Sequence, residues 1–323
     1  MERRKGSMEN LVRKQKLVSI IVPCFNEDRN INAAYLEIKK FFKNKPKYSY
    51  EILFIDNHSD DKTFALIKAI ASKDINVKGL RFKRNYGFNK SILTGYQVCQ
   101  GDAAIQMDCD LQDHPRNFDN FLQMWECGHD VVIGLREKRP ERFLLTKCRS
   151  FFYKFLNMIS QEEVQMHAGD FRLVDRSIVN QLKTIYDFTP YVRGMISSLA
   201  SKEGSFSYKR EVRKEGKSKF NFSSLVAFAI DGIVNHSILP LRVATIFGMS
   251  IFLFTIIFLS YFTIGIMFLG LDAPSGFLTS TTLQLIDIGV TAFFLGILGE
   301  YIARIYTQLK KLPITVVEEK INL

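Results

Sequence analysis

Two aspartates separated by one residue follow a short apolar segment near the middle of the chain. Ala103 to Met107 is predicted to form a buried strand, and Asp108 and Asp110 come directly after it. Because side chains in an extended backbone repeat with a period of two, we expect both carboxylates to face the same way. Mg2+ and Mn2+ are commonly held by one or two carboxylates together with phosphate oxygens. The pattern indicates a Mg2+ or Mn2+ site, while an isolated Asp-x-Asp is also common in solvated turns.

Strand-like and helix-like segments alternate around this motif. Apolar runs predict strands at 17–24, 50–55, 77–82, 103–107 and 130–134, and residues at helical spacing predict helices over 31–42, 64–71, 89–98 and 118–126. This alternation predicts an α/β fold with a mostly parallel sheet covered on both faces, whose ligands bind at the carboxyl ends of the strands. The sequence contains neither GxGxxG after the first strand nor GxxxxGK[ST], so neither a dinucleotide fold nor a P-loop is supported.

Composition divides the chain into a polar part and an apolar part. The 323 residues are 47% hydrophobic and 24% charged, and the charge lies mainly before Arg242. The net charge of +11 suits nucleic acid, an anionic membrane surface or phosphorylated substrates, and the absence of a nucleic-acid motif makes nucleic acid the weakest of the three. The five cysteines have neither zinc-type nor disulfide-framework spacing, which favours a reducing, cytoplasmic location.

The apolar part, 242–306, predicts two transmembrane helices joined by a short polar link. Residues 243–271 contain no charged side chain, and about 20 apolar residues suffice to cross a bilayer. Arg242, Arg304 and Lys310 flank the outer ends of the hairpin, whereas the link at 272–276 has no Lys or Arg. The positive-inside rule therefore places both termini and the polar part in the cytoplasm.

The remaining segments complete the expected domain organisation. Residues 1–16 form a basic N-terminal arm, 221–241 an interfacial amphipathic segment and 307–323 a cytoplasmic C-terminal tail. Asp287 lies within the second apolar run, where an ionisable residue is rare; an interfacial or helix–helix position is favoured over a catalytic role.

Five motifs occur in a fixed order along the chain: VPCFNE (22–27), DNHSDD (56–61), KRNYGFNKSILTGY (83–96), MDCDLQDHP (107–115) and GDFRLVDR (169–176). This series resembles the family 2 glycosyltransferases of GT-A (Rossmann-like) fold. Within that family the chain is similar to the polyprenyl-phosphate glycosyltransferases, which include bactoprenol glucosyltransferases and dolichol-phosphate mannose synthase. The similarity runs from about residue 17 to the C-terminus and implies a GT-A nucleotide-sugar domain over 17–220.

The resemblance implies a role for each matching residue. The implied residues of the nucleotide pocket are Pro23, Asn26, Glu27, Asp56, Asn57 and Arg84, and the implied sugar contacts are Gln112 and Asp113. Asp108 and Asp110 are the implied cation ligands. The implied catalytic residues are these two aspartates together with Asp170 and Arg172. The chain departs from the family pattern at Asn57, where a second Asp is usual, and at 166–168, where many relatives carry an acidic residue.

Two basic segments outside these motifs have open interpretations. Arg213, Lys217 and Lys219 flank a glycine and could neutralise a phosphate in a closing loop, although a charged surface is the usual explanation of such a run. The segment 136–147 is equally compatible with a solvated face and with a lid or acceptor-binding loop.

The expected activity is an inverting, metal-dependent sugar transfer to a membrane lipid. Glucose from a UDP-sugar is the default donor, and polyprenyl (undecaprenyl) phosphate at the inner membrane is the acceptor. The resemblance also implies a tetrameric homo-oligomer, with a flippase and a downstream glycosyltransferase as partners in cell-envelope glycan modification. The alternatives are a processive polysaccharide synthase, which usually has a QxxRW motif and more spans, and a non-catalytic membrane scaffold.

Overall fold

The computed structural model describes residues 15–137, 168–211, 276–310 and 312–323, together with single residues between 244 and 264. The chain divides into two compact units. The first consists of Met1–Thr146, Gln165–Ser218 and Leu312–Leu323, and the second of Lys147–Val164 and Lys219–Lys311. The first unit is an α/β domain that contains all the described residues of the candidate site.

The strands and helices of the first unit largely alternate along the chain. The strands are β1 (Lys16–Cys24), β2 (Tyr48–Asp56), β3 (Val77–Phe82), β4 (Ala103–Gln106), β5 (Val131–Arg136), β6 (Ala168–Asp175), β7 (Glu203–Tyr208) and β8 (Val317–Ile321). The helices are α1 (Asp28–Lys43), α2 (Thr63–Ala71), α3 (Phe88–Val98), α4 (Phe118–Glu126), α5 (Arg176–Thr184) and α6 (Val192–Leu199), with a 3-10 turn at Pro115–Asn117.

These strands form one sheet in the order β7-β5-β6-β4-β1-β2-β3-β8. β4, β1, β2 and β3 are parallel neighbours, and β7 is parallel to β5, while β6 and β8 run antiparallel to the strands that they join. The predicted, mostly parallel α/β sheet is therefore confirmed. The pattern of apolar runs did not predict β6, β7 or β8.

A hydrophobic core covers each face of the sheet because the buried strands alternate their side chains between the two faces. Ile20 and Val22 of β1 belong to one core, and Ile21 belongs to the other. Helix α3 lies so close to β1 that a Cβ atom at Gly95 would collide with Cγ2 of Ile21. This packing holds α3 against β1.

The C-terminal residues form an edge strand of the sheet, which the prediction of a simple tail over 307–323 did not include. β8 pairs with β3, and the Lys83 amide donates to the carbonyl of Val316 at 2.9 Å. Ile314 is buried, and Asn322 Nδ2 donates to the carbonyls of Ala71 (3.0 Å) and Val77 (2.8 Å). The end of the chain is thus an integral part of the first unit.

In the second unit the structure describes a long helix, α7 (Phe277–Leu309). Asp287 is exposed on this helix, as are apolar residues such as Leu295 and Ile302. Within the described part of the chain, no helix combines the length and hydropathy that a membrane span requires. The hairpin expected over 242–306 therefore stays a prediction. The N-terminal arm, except for residues 15 and 16, and the interfacial segment 221–241 lie outside the described residues.

Candidate active site

The Asp-x-Asp motif lies in a turn at the carboxyl end of β4. The strand ends at Gln106, one residue earlier than expected, and Leu111 has a positive φ of 56°. The Gln112 amide donates to Asp110 Oδ1 at 3.1 Å and closes the turn. Asp108 and Asp110 are both partly exposed, while Cys109 between them is buried. Exposure therefore alternates along residues 108–110, as expected, although the backbone has already left the strand.

Asp108 is surrounded by other carboxylates. Burial raises its pKa to about 7, and the charges of Asp113, Asp170 and Asp110 act in the same direction. The opposing charge comes from Arg210, whose Nη2 lies 3.7 Å from Asp108 Oδ2, beyond direct hydrogen-bond distance. Because the side chain of Asp108 keeps 27% of its exposure, it is accessible from outside. An accessible, crowded carboxylate is one that a bound cation stabilises.

The donor set fits a hard divalent cation in an open site. Asp108 and Asp110 supply carboxylate oxygens, the ligand type that Mg2+ and Mn2+ prefer. Among the residues that the structure describes, there is no group of three or more His, Cys, Asp or Glu side chains that could enclose a metal ion. Such a cation would complete its coordination with water and substrate oxygens, as Mg2+ usually does.

Asp113 is a buried acceptor that holds two arginines beside Asp108. It is 1% exposed and accepts hydrogen bonds from the Tyr208 hydroxyl, from Arg136 Nη2 at 3.2 Å and from Arg210 Nε at 3.2 Å. This placement differs from the sugar contact expected of Asp113, because a carboxylate enclosed by three donors has no surface left for a ligand. Its effect on the site is to fix the two guanidinium groups.

Asp170 is paired with an arginine that sequence reasoning missed. The Arg193 guanidinium on α6 donates to both carboxylate oxygens of Asp170, from Nε at 2.6 Å and from Nη2. Arg193 keeps 41% of its side-chain exposure, so this guanidinium faces outward. Asp170 and Arg193 therefore form the accessible ion pair at the carboxylate cluster.

Arg172 lies in the interior rather than at the accessible surface of the site. It is 1% exposed, and it donates to the carbonyls of Gly169 (3.1 Å) and Arg193 (3.5 Å). Burial lowers its pKa, and the negative charge of Asp170 counteracts that effect. The catalytic role expected of Arg172 is untested, and a side chain buried to this extent does not reach the accessible surface of the site. Arg172 instead ties β6 to α6, the two elements that carry Asp170 and Arg193.

The end of β2 shapes the loops that border the proposed nucleotide pocket. Asp56 is fully buried and accepts hydrogen bonds from the Ser59 hydroxyl and from the Ser59 amide at 3.2 Å. Burial raises the pKa of Asp56, whereas the hydrogen bonds from Ser59 oppose that rise. The Asp56 carboxylate holds the turn after β2 in place. In this geometry Asp56 has a structural role at the border of the expected nucleotide pocket.

Asn57, where the chain departs from the family pattern, joins two loops. Its Nδ2 donates to Asn85 Oδ1 at 2.7 Å, and its Oδ1 accepts from the Tyr86 amide at 2.8 Å. Arg84 is exposed on the second loop, with its guanidinium 5.0 Å from the centre of the Tyr86 ring. The amide of Asn57 thus sets the position of the loop that carries Arg84.

Asn26 and Glu27 connect the loop after β1 to the loop after β2. The Asn26 amide donates to Ser59 Oγ and the Glu27 amide to Thr63 Oγ1, both at 2.9 Å, and Asn26 Oδ1 accepts from the Asp60 amide at 2.9 Å. Pro23 is buried at the end of β1. These residues lie at the expected edge of the sheet, and their contact with a nucleotide stays a prediction.

The chain leaving β7 is attached to the Asp-x-Asp loop. The Glu211 amide donates to the carbonyl of Gln112 at 3.1 Å. Arg213, Lys217 and Lys219 follow outside the described residues, as does the segment 138–147, so their expected roles are untested. Gln112 itself is partly exposed beside the carboxylates.

Comparison with known proteins identifies the family. The model of the glycosyl transferase family 2 matches residues 19–183, which include all the described carboxylates of the site. This chain belongs to glycosyltransferase family 2. It is a glycosyltransferase, and the resemblance seen in its motifs is confirmed.

Several relatives match nearly the whole chain. The chain is 36% identical over 306 residues to CsbB of Bacillus subtilis, whose name assigns it provisionally to the glycosyltransferases; the match covers 95% of this chain and 92% of CsbB. It is 33% identical over 297 residues to the SfII prophage-derived bactoprenol glucosyl transferase of Shigella flexneri, covering 92% of this chain and 96% of that protein.

A solved structure confirms the GT-A-like fold. Glucosyl-3-phosphoglycerate synthase from Mycobacterium tuberculosis, in complex with Mn2+, UDP-glucose and phosphoglyceric acid, matches with a TM-score of 0.50 at 14% identity. The match covers 68% of this chain and 78% of the synthase.

Proposed function

We propose that this glycosyltransferase moves one glucose from UDP-glucose to polyprenyl (undecaprenyl) phosphate with inversion at the anomeric carbon. The observation that carries the proposal is the accessible, crowded pair Asp108 and Asp110 at the carboxyl end of β4. The naming of the Shigella relative as a bactoprenol glucosyl transferase supports the choice of sugar and acceptor.

Mg2+ or Mn2+ would be held by Asp108 and Asp110 and would offset the charge of the diphosphate leaving group. Arg210 and Arg136, fixed by Asp113, add guanidinium groups beside these carboxylates, and Arg193 presents another beside Asp170. Fixed cations near a developing anion lower the barrier without reorganising during the reaction. A phosphate acceptor is already anionic at neutral pH, so the site needs no strong general base.

The acceptor would reach the site through the basic segment after β7. Glu211 is attached to the Gln112 carbonyl, so the chain enters the predicted loop of Arg213, Lys217 and Lys219 next to the carboxylates. Ammonium and guanidinium groups there would attract a phosphate at a membrane surface. We assign this loop to acceptor binding.

Charge asymmetry and the pairing of β8 support the proposed membrane topology. Because β8 pairs with β3 in the catalytic sheet, residues 317–321 would lie on the same side of a membrane as the catalytic domain. An even number of crossings satisfies this condition, and it agrees with a two-helix hairpin within 242–306. We propose a multi-pass inner-membrane enzyme with its domain and both termini in the cytoplasm. We also propose that the enzyme forms a homo-oligomer and that a flippase and a downstream glycosyltransferase are its partners.

The activity test uses the purified full-length protein with undecaprenyl phosphate and a panel of labelled nucleotide-sugars. We expect label from UDP-glucose to enter the organic phase with Mg2+ or Mn2+ and to stay in the aqueous phase with EDTA. Asp110→Asn should abolish transfer with the fold intact, whereas Asp60→Asn, at an exposed position, should not. A long water-soluble polymer would instead support the processive synthase, and absence of metal-dependent donor binding would support the scaffold.

Acceptor binding and topology need separate measurements. Lys217→Ala with Lys219→Ala should raise the KM for undecaprenyl phosphate more than that for the donor, while Lys40→Ala with Lys73→Ala, at exposed positions, should change neither. An equal effect of the two double variants would contradict the assignment of the loop. Cysteine introduced as Ser275→Cys should be labelled only from outside the cell; labelling from inside alone would contradict the topology.

A further inference from the structure

The C-terminal strand places a carboxylate next to the loops of the proposed donor pocket. Glu318 Oε2 lies 3.2 Å from Arg81 Nε and 3.7 Å from His58 Nδ1. His58 lies in the turn after β2 with a positive φ of 62°, and its Nδ1 is 3.0 Å from the carbonyl oxygen of Phe82. A residue near the end of the chain therefore contacts two sequence-distant parts of the pocket border.

Arg81 continues this contact into the buried part of the turn. Its Nη2 donates to the carbonyl of Ser59 at 3.3 Å, and its Nε lies 3.8 Å from Asp56 Oδ2. The guanidinium carbon is 5.2 Å from the centre of the Phe64 ring. Arg81 is thus placed between Glu318 and the turn that starts at Asp56.

We propose that Glu318 is a positioning residue for donor binding, acting through Arg81 and His58 on the Asp56–Ser59 turn. The proposal rests on the function proposed above. Asp56 is buried, and its desolvated charge is partly offset by Arg81. Without Glu318, Arg81 loses the nearer of its two acidic neighbours and keeps Asp56 at 3.8 Å. The turn, which also receives the Asn26 amide through Ser59, then loses part of its order.

The next residue along β8 provides a matched control. Glu319 pairs with Lys68 on α2 at 2.7 Å, a contact that does not involve the Asp56–Ser59 turn. The two glutamates have similar side-chain exposure, 49% for Glu318 and 41% for Glu319. Ile314 and Asn322 hold the strand at either end of this pair. Neutralising either glutamate should therefore leave β8 in the sheet.

The experiment measures UDP-glucose affinity by calorimetry with Mn2+ for full-length wild type, Glu318→Gln, Glu318→Asp and Glu319→Gln. We expect Glu318→Gln to weaken donor binding about fivefold, in line with the strength of partly exposed ion pairs. Glu318→Asp should restore much of the loss, and Glu319→Gln should bind like wild type. In turnover assays, Glu318→Gln should raise the KM for UDP-glucose while kcat and the KM for undecaprenyl phosphate stay unchanged.

Three outcomes would overturn the proposal. Equal donor affinity of Glu318→Gln and Glu319→Gln would show that the position of Glu318 has no special effect. A fall in the melting temperature of Glu318→Gln that accounts for its weaker binding would make the effect one of stability alone. Failure of wild type to bind any nucleotide-sugar would overturn the proposed function and this inference together, which distinguishes it from the first two outcomes.

Discussion

Neutralising Asp108 should stabilise the metal-free protein while removing its response to the cation. Asp108 is ionised at pH 8, yet burial and three neighbouring carboxylates oppose that charge. Asp108→Asn keeps the shape of the side chain and removes the charge. The substitution therefore relieves an unfavourable interaction in the absence of metal.

The size of the effect follows from the pKa. A carboxyl that titrates at about 7 in the fold rather than at its ordinary 3.8 costs about 4 kcal/mol when it is ionised above pH 7. Since Asp108 is 27% exposed, solvent screening reduces this figure, and we expect about 2–4 kcal/mol. The unfolded chain loses its proton first, so wild-type stability falls between about pH 4 and pH 7 relative to the variant. Below pH 4 the difference should vanish.

The assay is thermal unfolding of the full-length protein in EDTA, followed by the fluorescence of its single tryptophan, Trp125. At pH 8, Asp108→Asn should melt roughly 5–10 °C above wild type, and Asp60→Asn should melt like wild type. Added Mn2+ should raise the melting temperature of wild type but hardly that of Asp108→Asn. An Asp108→Asn protein that melts at or below the wild-type temperature in EDTA at pH 8 would refute the reasoning.

Three further variants test the packing around the site. Asp113→Asn should lower the free energy of unfolding in urea by about 2–3 kcal/mol, because its two arginines lose their full countercharge while Asp108 gains some relief; no loss would contradict the buried-acceptor role. Gly95→Ala should cost about 1–2 kcal/mol by the same measurement, since its Cβ meets Ile21, whereas Gly296→Ala, with no described atom within 4 Å, should not. Trp125→Phe should cost about 1–2 kcal/mol by circular dichroism, because the indole loses its 2.7 Å hydrogen bond to Asp175; unchanged stability would argue against that bond.

The central strands could be predicted because their signal is local. β1 to β5 are apolar runs flanked by turn residues, and burial on both faces of a parallel sheet requires such runs. β7, EGSFSY, and β8, VEEKI, contain few apolar residues and are partly exposed at the two edges of the sheet. Their extended conformation comes from pairing with β5 and β3, which no local pattern of residues reveals.

The same distinction separates the predicted from the unpredicted parts of the site. The spacing of Asp108 and Asp110 after an apolar run was enough to place both at the carboxyl end of a strand. The partners of Asp113 could not be found in this way, because Arg136 is 23 residues away along the chain and Arg210 is 97. The burial of Arg172 could not be predicted either, since a motif gives the residue type and not its depth in the sheet.

The charges of the site are balanced in a way that fits the proposed need for a cation in donor binding. Among the described residues, the carboxylate cluster contains Asp108, Asp110, Asp113 and Asp170, and the guanidinium groups within or behind it are Arg136, Arg172, Arg193 and Arg210. At pH 8, where Asp108 is ionised, these four negative and four positive charges cancel, so they give the metal-free cluster no net attraction for a diphosphate. A divalent cation held by Asp108 and Asp110, as proposed, would make the balance +2, which matches the charge of an entering diphosphate and would leave the pairs of Asp113 and Asp170 intact. Under the proposed function, the arginines would orient the leaving group and the cation would provide the affinity for it.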